Sequence, residues 1–142
     1  MDKTASTKAT NQYFTIGEAS QESGISAKMI RHYEQVGLLK EAARTEADYR
    51  LYNRRDLHVL RFIRHCRDLG FSIKQIEELL GLWQDTARPS REVKKLAQLH
   101  LTALDAKIQE LNAMKAELER LVQCCKGDSR PDCPILEGLA AP

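Results

Sequence analysis

No apolar run in this chain is long enough to cross a bilayer, and the N-terminus has no apolar signal-peptide core, so a cytoplasmic protein with no membrane contact is expected. Neither sign of charge dominates: 22 Lys and Arg against 20 Asp and Glu leave a formal net charge of +2. Any contact with nucleic acid must therefore come from local clustering of basic residues. Cysteine is scarce, four in 142 residues. In a reducing compartment four cysteines fit thiols or metal ligands better than a disulfide framework, and they are not spaced as the two pairs of a structural zinc site. No nucleophile–base pair and no phosphate loop is visible, which leaves an enzyme the weakest reading. The length suits one small core with an appendage, not two full domains.

Residues 1 to 12 are rich in Lys, Thr, Ala and Ser with little to bury, and a disordered tail is expected there. Thr15-Ile16-Gly17-Glu18 has the form of a capping box and opens a short helix that should stop near Ser23-Gly24. Ser26 is placed to cap a second helix, with Ile25 and Ile30 as a staple and Gly37 free to end it in a left-handed conformation. Two short helices joined by a tight turn make a helix-turn-helix. The second helix presents Lys28, Arg31 and His32 with Tyr33 close by, a set suited to phosphates and base edges in a major groove. The competing reading makes Lys28 and Arg31 a solvated face and Tyr33 part of the core.

From Arg44 to Tyr52 the residues Tyr49, Arg50, Leu51 and Tyr52 alternate as in a strand, and a small two-stranded wing is expected. Arg44, Tyr49, Arg50 and Tyr52, followed by Arg54 and Arg55, gather charge and hydroxyl donors where a phosphate could be clamped. Asn53 can cap a third helix running to about Leu69, with Leu57, Leu60, Ile63 and Cys66 or Leu69 on one side and Gly70 closing it. Ser72 and Gln75 form another capping box, flanked by Phe71 and Ile76, for a fourth helix ending near Trp83. Cys66 sits at helical spacing among apolar residues and reads as a buried filler.

Residues 85 to 89 have the composition of a hinge, and Ser90 is placed to cap a long fifth helix. No Gly or Pro interrupts the chain from there to Val122. Ala97, Leu101, Leu104, Ile108, Leu111, Met114, Leu118 and Leu121 recur at three- and four-residue steps, the stripe of a coiled coil. At about 1.5 Å per residue this helix extends roughly 50 Å, further than the small preceding domain can cover, so a second copy of the chain is the expected partner. Beyond it, Cys125 and Cys133 stand eight positions apart across a polar loop containing Gly and Pro, with Cys124 beside the first. His58 and His65, far from that loop in sequence, and His100, in the middle of the long helix, are read as non-ligands.

In this order the pieces resemble the MerR family of transcriptional regulators over roughly residues 13 to 139. The most specific stretches are YFTIGEASQESGISAKMIRHYEQVGLL, ADYRLYN and RFIRHCRDLGFSIKQIEELL. The resemblance implies a mainly α fold: a winged helix-turn-helix DNA-binding domain (13–84), a hinge (85–89), a long antiparallel coiled-coil dimerisation helix (90–123) and a metal-binding loop with a short terminal helix (124–142). It implies a homodimer on double-stranded promoter DNA, with RNA polymerase at the same promoter, and DNA contacts from Thr15, Lys28, Arg31, His32, Tyr33, Arg44, Tyr49, Arg50, Tyr52 and Arg54. The end of the chain is most similar to copper-efflux regulators of the CueR and HmrR type, which respond to Cu(I) and often Ag(I) or Au(I). In that group two cysteines at the spacing of Cys125 and Cys133 hold the ion in a nearly linear arrangement, and the promoter is distorted to switch transcription on.

The chemistry agrees with that resemblance. Cu(I) is soft and prefers thiolate, and two sulfurs satisfy a monovalent ion where Zn(II) takes four ligands. Pro134 suits the first turn of a short helix through Leu136 to Leu139, which places Cys133 at a helix N-terminus that favours its thiolate. Relatives that sense divalent zinc, lead or cadmium carry a cysteine where this chain has Ser90, so Ser90 is expected to set metal selectivity. Cys124 keeps a rival open, because a Cys doublet also occurs in some zinc-responsive relatives. A sensor of Zn, Pb or Cd could use Cys124 as an accessory ligand. A thiol redox or metal-storage protein with an incidental helix-turn-helix is the rival of another class.

Overall fold

The structure, a computed structural model, describes residues 12–142; the tail expected over residues 1 to 12 lies outside the described residues except for Gln12. The chain divides into two units with the break between Arg88 and Pro89. The first holds α1 (Ile16–Ser23), α2 (Ala27–Gln35), β1 (Ala43–Arg44), β2 (Arg50–Leu51), α3 (Arg54–Asp68) and α4 (Ile73–Gln84). The second holds α5 (Ser90–Cys124) and α6 (Pro134–Ala140).

Each helix of the first unit starts on a side chain that satisfies an otherwise orphaned backbone donor. Thr15 Oγ1 accepts from Glu18 N at 3.2 Å, and Glu18 Oε1 accepts in return from Thr15 N, completing the box. Ser26 caps α2 through Met29 N, and Ser72 with Gln75 forms the reciprocal pair at α4. At α3 the cap Asn53 is also half of a box, with Asp56 returning the bond at 2.9 Å. Gly24 ends α1 at φ 74, the left-handed conformation that turns the chain into α2.

The core of this unit is the inward face of all four helices. Ala19, Ile25, Ile30, Leu57, Leu60, Ile63, Ile76 and Leu80 are buried in one cluster. Cys66 is buried among them as expected, and burial raises its thiol pKa, which makes it an inert filler. Leu69, the alternative to Cys66 at the end of that stripe, is largely exposed. The Phe62 and Trp83 rings stack at 4.6 Å and nearly parallel, joining α3 to α4.

The wing is shorter than the alternation suggested. Its strands are two residues each, antiparallel, with Ala43 opposite Leu51 and Arg44 opposite Arg50. Asp48, at φ 68, makes the turn, and Thr45 Oγ1 accepts from Tyr49 N at 3.1 Å across it. Tyr52 leaves the hairpin to pair with Phe14 through two backbone hydrogen bonds, at 2.7 and 2.8 Å, anchoring the wing to the start of α1.

In the second unit α5 runs unbroken for 35 residues. Ser90 is not its cap: Pro89 occupies that position in extended conformation, no side chain makes a capping bond, and Ser90 is the first helical residue. Proline's fixed φ suits the extended geometry, and this displaces the serine by one position. Leu101, Ile108, Leu111, Met114 and Leu118 each leave more than half of their surface exposed within the chain. Among the described residues no helix is long and apolar enough to cross a membrane.

Candidate DNA-contacting face and metal site

On α2 the amphipathic arrangement separates two jobs. Ile30 and Tyr33 are buried, while Lys28, Arg31 and His32 are exposed on the other side. Tyr33 is therefore core, and its expected place among the DNA-contacting residues is withdrawn. The same correction applies to Tyr52, which has no exposed surface and donates its hydroxyl to Glu34 Oε1. Burial first, and then the Glu34 carboxylate, push the Tyr52 phenol far above the ordinary tyrosine range.

Glu34 is the residue the sequence did not single out. Its side chain is only 7% exposed, and its other oxygen accepts from Arg50 Nε at 3.2 Å. One carboxylate at the end of α2 thus holds two neighbouring wing residues and locks helix and hairpin together. Arg50 is consequently half-spent in structure, with 27% of its side chain still exposed. The signal available in the sequence was an acidic residue directly after a basic set; a carboxylate on a DNA-facing helix repels phosphate unless a cation neutralises it.

The other expected DNA residues lie at the surface. Arg44 Nη1 donates to Asp48 O at 3.1 Å and pairs with its carboxylate at 3.3 Å, which stiffens the hairpin. Tyr49 stands 70% exposed at the wing tip. Arg54 is exposed and donates to Gln12 Oε1 at 3.2 Å, and Thr15 is exposed at the start of α1. Lys28, Arg31, Arg44, Tyr49 and Arg54 are exposed on one helix, the wing and the start of α3, and their side chains are donors of the kind that suits phosphates and base edges.

The cysteine loop joins α5 to α6. Cys124 is the last helical residue and exposed; Cys125 caps the helix end and Cys133 caps the start of α6, both half-buried. All three line one cavity of about 360 Å³, together with Lys126, Asp128, Arg130 and Asp132. Asp128 and Arg130 close the loop across its tip: the carboxylate accepts from Arg130 N at 3.0 Å, Nε at 2.9 Å and Nη2 at 2.7 Å. The Arg130 guanidinium holds the Asp128 carboxyl below its usual range. Among the described residues, no three His, Cys, Asp or Glu side chains form a group able to hold a metal ion. Two half-buried thiols at opposite ends of a short loop are a donor set for a soft cation.

What keeps those two ends together is the packing of α6 on α5. A Cβ on Gly138 would fall 2.3 Å from Leu121 Cδ2, and Leu121 is buried. A glycine inside a seven-residue helix, where alanine would be about 1 kcal/mol better, is the sequence signal for such close approach. We expect Gly138→Ala to push α6 off α5 and move Cys133, weakening metal affinity at least tenfold (about 1.4 kcal/mol) while leaving DNA affinity unchanged. Metal competition and DNA retardation on the same preparation check this; equal metal affinity would contradict it.

Comparison with known proteins places the chain in a family. Residues 14–82 match the family described as MerR HTH family regulatory protein, and residues 57–121 match MerR, DNA binding. The chain is similar to heavy metal-dependent transcription regulator 2 of Rhizobium meliloti (strain 1021), 54% identical over 125 residues covering 88% of this chain and 85% of that one. It is also similar to HTH-type transcriptional regulator CueR of Salmonella typhimurium (strain LT2), 34% identical over 88% of this chain and 91% of that one. Among solved structures, transcription regulator PbrR691 of Ralstonia metallidurans CH34 in complex with lead(II) superposes with a TM-score of 0.74 at 35% identity, covering 89% of this chain and 99% of that one. These matches span both units, so the helix-turn-helix is not incidental to a redox or storage protein. The chain belongs to the MerR family of helix-turn-helix transcriptional regulators.

Proposed function

We propose that this regulator is a homodimeric, cytoplasmic sensor of Cu(I), or of Ag(I) or Au(I), that activates efflux or resistance genes from its promoter. The observation that carries the reading is the pair Cys125 and Cys133, two half-buried thiols at either end of one loop and on one cavity. Their softness suits a monovalent d¹⁰ ion, and a two-thiolate site offers a divalent ion too few donors. The similar regulator from R. meliloti is named as heavy metal-dependent, which supports a metal as the signal. When bound, the ion would cross-link the end of α5 to the start of α6.

The exposed stripe of α5 supports the dimer. Burying a large apolar side chain contributes on the order of 1.5–3 kcal/mol, so five of them give a second copy ample reason to cover the stripe. Signalling is a matter of linkage: the ion has to bind one dimer shape better than the other, and the DNA has to distinguish the same two shapes. Promoter distortion that lets RNA polymerase engage is the output this reading assigns to the second shape.

A divalent-metal sensor is the second reading, and two observations favour it. Cys124 lines the same cavity, and the similar PbrR691 structure is a lead(II) complex. Anaerobic titration of the full-length protein with X-ray absorption separates them by ligand count: two sulfurs supports the first reading, three or more the second. Ser90, exposed at the start of α5, supplies a further test. Ser90→Cys is expected to broaden the response to Zn(II) and Pb(II) in a reporter strain, by about tenfold or more in sensitivity, since it adds a thiolate. An unchanged metal profile would remove Ser90 from the selectivity argument.

A further inference from the structure

Of the three thiols on the loop cavity, Cys124 has no task in the two-thiolate reading. It is exposed, whereas Cys125 and Cys133 are half-buried, yet all three line the same space. The backbone accounts for the difference. Cys124 is the last residue of α5, and at Cys125 the chain turns extended (φ −93, ψ 128), so two consecutive side chains leave in different directions. That arrangement suits contacts made in succession better than contacts made together. The arginines nearby are engaged elsewhere: Arg120 holds Glu117 at 2.5 Å and Arg130 holds Asp128 at 2.7 Å. Lys126 lines the same cavity and supplies a cation there for an anionic thiolate complex.

A soft monovalent ion in a thiol-containing solution is bound by thiolates, and it reaches a protein by ligand exchange. We propose that Cys124 is the receiving thiol, which takes the ion from a small-molecule thiolate carrier and passes it to Cys125 and Cys133. The inference rests on the two-thiolate reading of the site. In the first exchange the Cys124 sulfur bonds to the ion and one carrier sulfur leaves. In the second, Cys133 displaces the remaining carrier sulfur; in the third, Cys125 displaces Cys124. The protons lost by Cys125 and Cys133 leave on the two carrier thiols, Cys124 ends as it began, and the ion keeps its single charge throughout.

The test uses the full-length protein, anaerobic, loaded from the Ag(I)–glutathione complex, with bound silver measured after rapid desalting at successive times. Cys124→Ser is expected to slow loading about tenfold, because the remaining acceptors are less accessible. Stoichiometry, equilibrium affinity and the rate of loading from aqueous Ag(I) are expected to stay at wild-type values. Wild-type loading from the glutathione complex would overturn the proposal, as would a fall in equilibrium affinity, which would make Cys124 a third ligand. Slowing that persists with aqueous Ag(I) would also overturn it, since the substitution would then have damaged the site. Wild-type affinity in Cys125→Ser or Cys133→Ser would overturn the two-thiolate reading itself and the inference with it.

Discussion

Serine at Cys125 or at Cys133 is expected to abolish metal-dependent induction while promoter binding persists. Each substitution removes one of two thiolates, a loss on the order of 3 kcal/mol in metal affinity, or a hundredfold and more. The fold has no comparable stake in either sulfur. Both residues are caps without side-chain capping bonds, and α6 is held to α5 by the contact of Gly138 with Leu121. Serine is close to cysteine in size, so neither a cavity nor an overlap results. The two variants should also fail alike, because the two thiols line one cavity. Reporter induction beside promoter retardation measures this, and wild-type-like induction in either variant would end the ligand assignment.

The second large effect is expected at Glu34. On charge alone, Glu34→Ala should tighten DNA binding, since it removes a negative charge from the helix expected to meet phosphates. The geometry of the cluster predicts the opposite. Removing one partner of a mostly buried ion pair costs about 3–5 kcal/mol in closed sites; Arg50 keeps some solvent, so about 2–3 kcal/mol is expected here. The wing then loses its two side-chain bonds to Glu34, and promoter affinity should fall about tenfold or more, with Glu34→Gln retaining part of it. Denaturant unfolding and retardation would show this, and tighter binding in Glu34→Ala would sink it. The same cluster sets an alkaline limit. The Tyr52 phenol is raised in the folded state, so its stabilising contribution is complete below the ordinary tyrosine value of about 10 and is lost as pH climbs through the folded value. Tyr52→Phe should flatten that loss.

The helix starts were legible in the sequence because capping is local: Thr15 with Glu18, Ser26 and Ser72 with Gln75 need only their own neighbours to act. The cysteine loop was legible for the same reason. Glu34 was not, because nothing nearby in the chain reveals that residues 16 and 18 positions later return to it. The alternation of Arg50 and Tyr52 did place them on one side of a strand, and that side meets the Glu34 carboxylate. Gly138 meets Leu121 across 17 positions and was equally hidden, although its helical setting hinted at it. Ser90 shows the opposite failure, a local rule that named a cap where the preceding proline had already taken the position.

The distribution of caps bears on how such a chain can change. Every helix start in the first unit is secured by a side chain of its own, while neither α5 nor α6 has such a bond. Substitutions at Cys124, Cys125 or Cys133 therefore break no side-chain N-cap bond, and they leave the capped helices of the first unit untouched. Sensing can drift from one ion to another through single replacements without the loss of the promoter it answers to, so new metal specificities are reachable by short mutational paths.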